Sequence, residues 1–122
     1  MRIAFIAVFL ALLVPRPPSF TDDQATKGQT LFYENCAECH GARLEGNFGP
    51  ALAGDASNVQ WESVTYVWGY MTAHMPAGNA AGLKPREYLE IMAFLLKAHG
   101  NVPGKRALSA TDAAASKALM GH

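Results

Sequence analysis

The stretch Cys36-Ala37-Glu38-Cys39-His40 decides how the rest of the chain is read. Cys-x-x-Cys alone supports three chemistries: a redox dithiol, half of a zinc site, or attachment of a haem. A thioredoxin-type dithiol belongs to a βαβ chain, and no strand-like run precedes Cys36. A four-ligand zinc site needs two more ligands at close spacing, and His74, His99 and His122 offer no such pair. The His that follows directly favours the third chemistry. Two thiols three positions apart can form thioethers to the two vinyl groups on one edge of a porphyrin. The backbone then carries His40 under the ring, where its imidazole can bind iron. A plain disulfide or redox pair is the remaining alternative.

Helical signals surround the motif on both sides. Upstream, Thr21 with Gln24 three positions on forms a capping box, and Asp22 and Asp23 suit the positive end of a helix reaching about Asn35. Gly28 and Phe32 share a face of that helix. A helical glycine costs about 1 kcal/mol against Ala, so close approach of another helix is the expected reason for it. Downstream, Val64, Val67, Trp68 and Met71 fall at i, i+3, i+4 and i+7 after a possible Ser63 cap. A last long helix is expected from Pro85 to about His99, with Gly100 as its C-cap and Lys97 and His99 near the negative end. Glu87, Glu90 and Lys97 make a polar stripe on it that Phe94 interrupts. Cover of Phe94 by the Gly28/Phe32 face would explain the interruption. Residues 41–54 read as a Gly/Pro-rich loop, and no alternating strand pattern of useful length occurs. The segment 105–122 is an Ala-rich tail in which Thr111 is a possible helix cap.

The chain has 122 residues, half of them hydrophobic, so it forms one domain and is not a disordered tail. Lys+Arg and Asp+Glu both number 10, which gives no basic excess for nucleic acid. Met1-Arg2 followed by the unbroken apolar run Ile3 to Val14 has the form of a secretory signal. That run is too short for a membrane span, and no stable span is expected. It ends in Pro15-Arg16-Pro17-Pro18, and a leader of about residues 1–20 is expected; no A-x-A site is present, so cleavage between Pro15 and Asp23 and retention as a weak anchor both stay open. Loss of Arg2 and Arg16 would leave eight basic against ten acidic residues. Export to the periplasm agrees with the motif, because covalent haem attachment occurs outside the bacterial cytoplasm.

The chain resembles the class I c-type cytochromes over roughly residues 24–104. The resemblance rests on Cys36-Ala37-Glu38-Cys39-His40-Gly41, Gly49-Pro50-Ala51-Leu52-Ala53-Gly54, Met75-Pro76 and a helix ending Ala93-Phe94-Leu95-Leu96, in that order and spacing. It implies an all-α fold with three main helices around one covalent haem c per chain, the N- and C-terminal helices crossing. Residues 21–104 would form the cytochrome domain. It also implies that the Pro50 carbonyl accepts a hydrogen bond from His40 Nδ1, and Leu52 and Trp61 are expected on the haem wall. Trp61 could equally be ordinary core.

Four candidates exist for the sixth iron position: Met71, His74, Met75 and none. Met71 lies on the apolar helix face, where packing explains it. His74 could give a bis-His haem. Pro76 removes a backbone donor and favours extended or turn backbone at Met75, turning that thioether out of the helix line. Met75 also lies at the family's distance from His40, and it is preferred. A haem with His40 and Met75 on the iron has no open position, so one-electron transfer is the expected activity and no catalysis of its own. The segment from Gly82 to Gly104 looks like cytochromes that serve periplasmic dehydrogenases, including quinoprotein ones. The expected partners are therefore a dehydrogenase as donor and an oxidase or another cytochrome as acceptor. The alternatives are a haem subunit fixed to a dehydrogenase complex and a ligand-binding haem sensor.

Overall fold

A computed structural model describes residues 14–121. The apolar run of the expected leader, up to residue 13, and His122 lie outside the described residues. Helix α1 (Asp22–Asn35) begins as its capping box requires. Thr21 Oγ1 accepts from the Gln24 N–H and Gln24 Oε1 accepts from the Thr21 N–H, each at 3.1 Å. Two backbone donors that the helix start leaves free are thereby satisfied or shielded. Helix α2 (Ala37–His40) is a single turn carrying the Cys-x-x-Cys-His motif. A 3-10 turn at Val59–Trp61 leads into α3 (Val64–His74), where Ser63 Oγ accepts from the Tyr66 N–H at 3.2 Å. Helix α4 (Pro85–Ala98) has Pro85 in its first turn. Its C-cap is His99, one residue earlier than expected, because Gly100 at φ +91° is the left-handed residue that follows a cap. Among the described residues there is no strand, only an isolated bridge between Ser63 and Leu119.

Helices α1 and α4 make the main packing of the molecule, and they cross at Gly28. A Cβ there would overlap the backbone carbonyl of Glu90 and sit 2.9 Å from the Ile91 nitrogen. The missing side chain lets the two backbones touch. Phe32 fills the next position, its ring 5.4 Å from that of Phe94 at 52°. Phe94 is thus covered by α1 as expected, though it is partly rather than fully buried. Glu90, by contrast, does not belong to an exposed stripe. It is only 7% exposed, because α1 lies across its backbone at Gly28, and its carboxylate turns back to Arg86 Nε at 3.4 Å. Met92, Ala93 and Leu96 of α4 are fully buried in the core with Val64, Ile91 and Met120.

The segment after residue 104 is a belt built into this core. Leu108, Ala113, Ala118 and Met120 are buried. Gln24, the capping residue of α1, also donates to the Leu108 carbonyl and accepts from the Leu108 N–H. The last short helix, α5 (Ala110–Ala115), is capped by Ser109, whose Oγ accepts from the Asp112 N–H. Thr111 therefore lies inside the first turn and is not the cap. Beyond α5 the chain runs against the start of α3, with Val64 N–H to Ala118 O at 2.8 Å and Met120 N–H to Glu62 O at 2.9 Å. Asn101 is buried and donates to both Leu96 O and Met120 O, tying the belt to the end of α4. Upstream, Phe20 is 1% exposed in the same core and its carbonyl accepts from the Gly104 N–H.

Candidate haem site

Cys36 caps α1 by donating its N–H to Phe32 O at 2.8 Å, and the chain turns directly into α2. This places both thiols and the imidazole on one short turn beside the α1–α4 crossing. Both cysteines are free thiols and half-buried. Burial, and secondarily the neighbouring Cys39, pushes the Cys36 thiol up to about 11. A redox dithiol works through a thiolate and needs a lowered pKa, so this environment opposes the redox alternative.

Residues 41–54 fold back over His40. Gly46 donates to His40 O and Gly49 to Cys39 O, each at 2.7 Å, and buried Leu44 anchors the loop in the core. Gly49 eases this approach: a Cβ on it would lie 3.1 Å from His40 Cε1 and 3.2 Å from Nδ1, a tight contact that would press on the imidazole. His40 Nδ1 is 2.8 Å from the Pro50 carbonyl oxygen. A carbonyl only accepts, so Nδ1 holds the proton and Nε2 keeps its lone pair for a metal. The bond would also make Nε2 a stronger electron donor to a metal it bound.

On the other side of the sequence, α3 ends with the Met75 N–H bonded to Met71 O, and Met75 is extended at φ −110° and ψ 151°. The thioether therefore leaves the helix line, as Pro76 predicts. The Met75 backbone is held by a residue that the sequence did not single out. Buried Tyr88 of α4 donates its hydroxyl to the Met75 carbonyl at 2.6 Å. A buried tyrosine must find a partner for its hydroxyl, but nothing in the sequence names the partner. Met75, Leu52 and Cys36 all lie in the half-buried shell packed against the core, with Val67, Trp68 and Leu83. Met71 is in the core, as the helix face predicts, and His74 is exposed, its ring 4.7 Å from that of Tyr70. Trp61 is not ordinary core: it is 67% exposed on the 3-10 turn.

This donor set fits a haem c. Two adjacent thiols can supply the thioethers, His40 Nε2 is poised as an axial nitrogen, and a glycine leaves room for the imidazole against the loop. The helices, the motif turn and the folded-back loop together define the class I c-type cytochrome fold.

Residues 23–95 match the family described as cytochrome c oxidase, cbb3-type, subunit III, and the chain belongs to this cytochrome c family. It is also similar to a chain in the crystal structure of the sulfane dehydrogenase SoxCD from Paracoccus pantotrophus. The two share 34% identity at a TM-score of 0.59, over 71% of this chain and 47% of that one. The chain thus spans about half the length of this relative. No curated protein matches it. Membership of the family carries haem binding and electron transport with it.

Proposed function

We propose that the chain is an exported one-electron carrier holding one haem c through thioethers to Cys36 and Cys39, with His40 and Met75 as axial ligands. The observation that carries the reading is the His40–Pro50 hydrogen bond, because it commits the imidazole to the tautomer an axial ligand needs. A haem with both axial positions filled exchanges single electrons and offers no open iron position. Around it, this chain's residues orient and shield. Pro50 holds the imidazole, Tyr88 holds the backbone at Met75, and half-buried Leu52 is available to the wall.

The electrons come from a periplasmic dehydrogenase and pass to an oxidase or another cytochrome. Similarity to a chain of a sulfane dehydrogenase supports the donor, and the family description supports an oxidase-linked acceptor. The same similarity favours a second reading, a haem subunit resident in a dehydrogenase complex. Co-purification would separate the two. If the leader is removed, cleavage falls before Ser19, because Ser19 donates to Arg106 O and Phe20 belongs to the core. No helix of the described residues is long and apolar enough to cross a membrane.

The axial assignment is tested by Met75→Ala and His74→Ala. Met75→Ala should keep the haem, lower the reduction potential and let the reduced protein bind carbon monoxide, since a thioether favours Fe(II) over harder donors. His74→Ala should change neither property. The opposite pattern would make the haem bis-His, and carbon monoxide binding by the parent itself would favour a ligand sensor.

A further inference from the structure

We infer that His99 is a positioning residue for the proximal side of the haem, holding the loop whose Pro50 carbonyl orients His40. The inference rests on the proposal that His40 binds the iron. His99 Nε2 is 2.8 Å from the Leu52 carbonyl oxygen, a bond between residues 47 apart in sequence. The carbonyl only accepts, so His99 donates from Nε2.

The surrounding hydrogen bonds show why this one matters. The loop's own bonds, Leu52 N–H to Leu44 O at 2.8 Å and Ala53 N–H to Leu44 O at 3.3 Å, fasten it to itself. Among the hydrogen bonds of the described residues, two join residues 50–53 to the helical body: His40 to Pro50 and His99 to Leu52. One is the bond to be positioned. The other holds the chain just after Pro50, as the Gly49 N–H bond to Cys39 O at 2.7 Å holds it just before. It starts from a rigid point, because the His99 N–H is itself bonded to Leu95 O at 3.1 Å at the end of α4. Burial holds the His99 pKa below its ordinary value, outweighing the opposite effect of the Leu52 bond, so the neutral imidazole with one N–H is the form present at neutral pH.

The two histidines thus donate to carbonyls two residues apart on one short stretch. With His99 in place, the Pro50 carbonyl stays aimed at His40 Nδ1 and the axial nitrogen remains a strong donor to the iron. Without it, the Pro50 carbonyl can drift. The imidazole then donates less electron density and the ferric state is less stabilised, so the potential rises.

The test uses the haem-loaded protein and two variants, His99→Phe and His99→Gln. The phenylalanine keeps a ring and removes the donor, while the glutamine retains an N–H donor. In His99→Phe the ratio of reduced to oxidised protein at a fixed ambient potential should rise several-fold, and the His40 Nδ1 proton should exchange with solvent faster. His99→Gln should stay near the parent on both measures. A His99→Phe protein that keeps its haem with unchanged potential and unchanged proton exchange would overturn the inference. The nitrogen-15 shifts of His99 in the parent give an independent check that needs no variant. The Nε2–H tautomer is expected, and the Nδ1–H tautomer would overturn the inference even if both variants failed to assemble. A parent chain that binds no haem would instead defeat the function proposed above.

Discussion

Replacing Gly28 by Ala should destabilise the protein, although it places a better helix former in the middle of α1. In an isolated helix the change would gain about 1 kcal/mol. Here the new methyl would enter the backbone of α4 at Glu90 and Ile91. Neither neighbour is a flexible side chain that could swing away, so the helices must part by roughly 1–2 Å to restore ordinary contact distances. Overpacking of this kind costs about 1–3 kcal/mol, and the upper end applies because the strain falls on backbone at the main helix crossing. The net loss should be about 2 kcal/mol once the propensity gain is subtracted. For a domain of this size that lowers Tm by about 8–16 °C. Denaturant titration of the haem-loaded protein should show the midpoint falling with an unchanged slope. Gly69→Ala is the matched control, since that glycine is also helical and a Cβ there would meet nothing within 4 Å. It should stabilise by about 1 kcal/mol. A Gly28→Ala protein as stable as Gly69→Ala would refute the crossing at Gly28.

Three further outcomes follow from the same packing. Phe94→Ala should cost about 2–3 kcal/mol, less than a fully buried ring would, because the ring is only partly buried and its main partner is Phe32; equilibrium unfolding measures it, and a loss near zero would contradict the pairing. Asn101→Ala should cost about 1–3 kcal/mol by leaving the buried Met120 carbonyl without a donor, while Leu96 O keeps the Asn101 backbone N–H, and should speed hydrogen exchange at Val64 and Thr65 where the belt is anchored. As pH falls below the 6.5 of an unfolded histidine, the unfolded chain takes up a proton that folded His99 still refuses, so stability should decline from there down to the lowered folded value. Unfolding midpoints at several pH values should show that decline in the parent and lack the His99 contribution in His99→Gln.

Local signals were legible where one residue type satisfies one backbone need. The Thr21–Gln24 capping box, the Ser63 cap, Pro85 in the first turn of α4 and the extended backbone at Met75 all formed as the sequence predicts. Gly28 was legible for a similar reason, since a glycine at that cost in a helix needs a close neighbour. The belt was not. It is held largely by backbone bonds to residues 60–65, which leave no side-chain pattern, and its buried residues include small alanines. Glu90 was misjudged because a charged residue on an otherwise polar stripe gives no sign that another helix will lie across its carbonyl. Ser109 and Thr111 are both good caps two positions apart, and only the path of the chain after Leu108 chooses between them. At the site, the Cys-x-x-Cys-His motif and Pro50 could be named from the sequence. Tyr88 and His99 could not, because each acts on a backbone carbonyl far away in the chain, and a carbonyl carries no residue identity.

The central claim is a single haem held covalently by Cys36 and Cys39. It is tested most directly by intact-mass measurement of the chain produced with the haem-attachment machinery, after acidic organic extraction. The account predicts the mass of the polypeptide plus one haem, with the added mass confined to the peptide containing Cys36 and Cys39. A mass equal to the polypeptide alone, with the haem extracted or never bound, would contradict it.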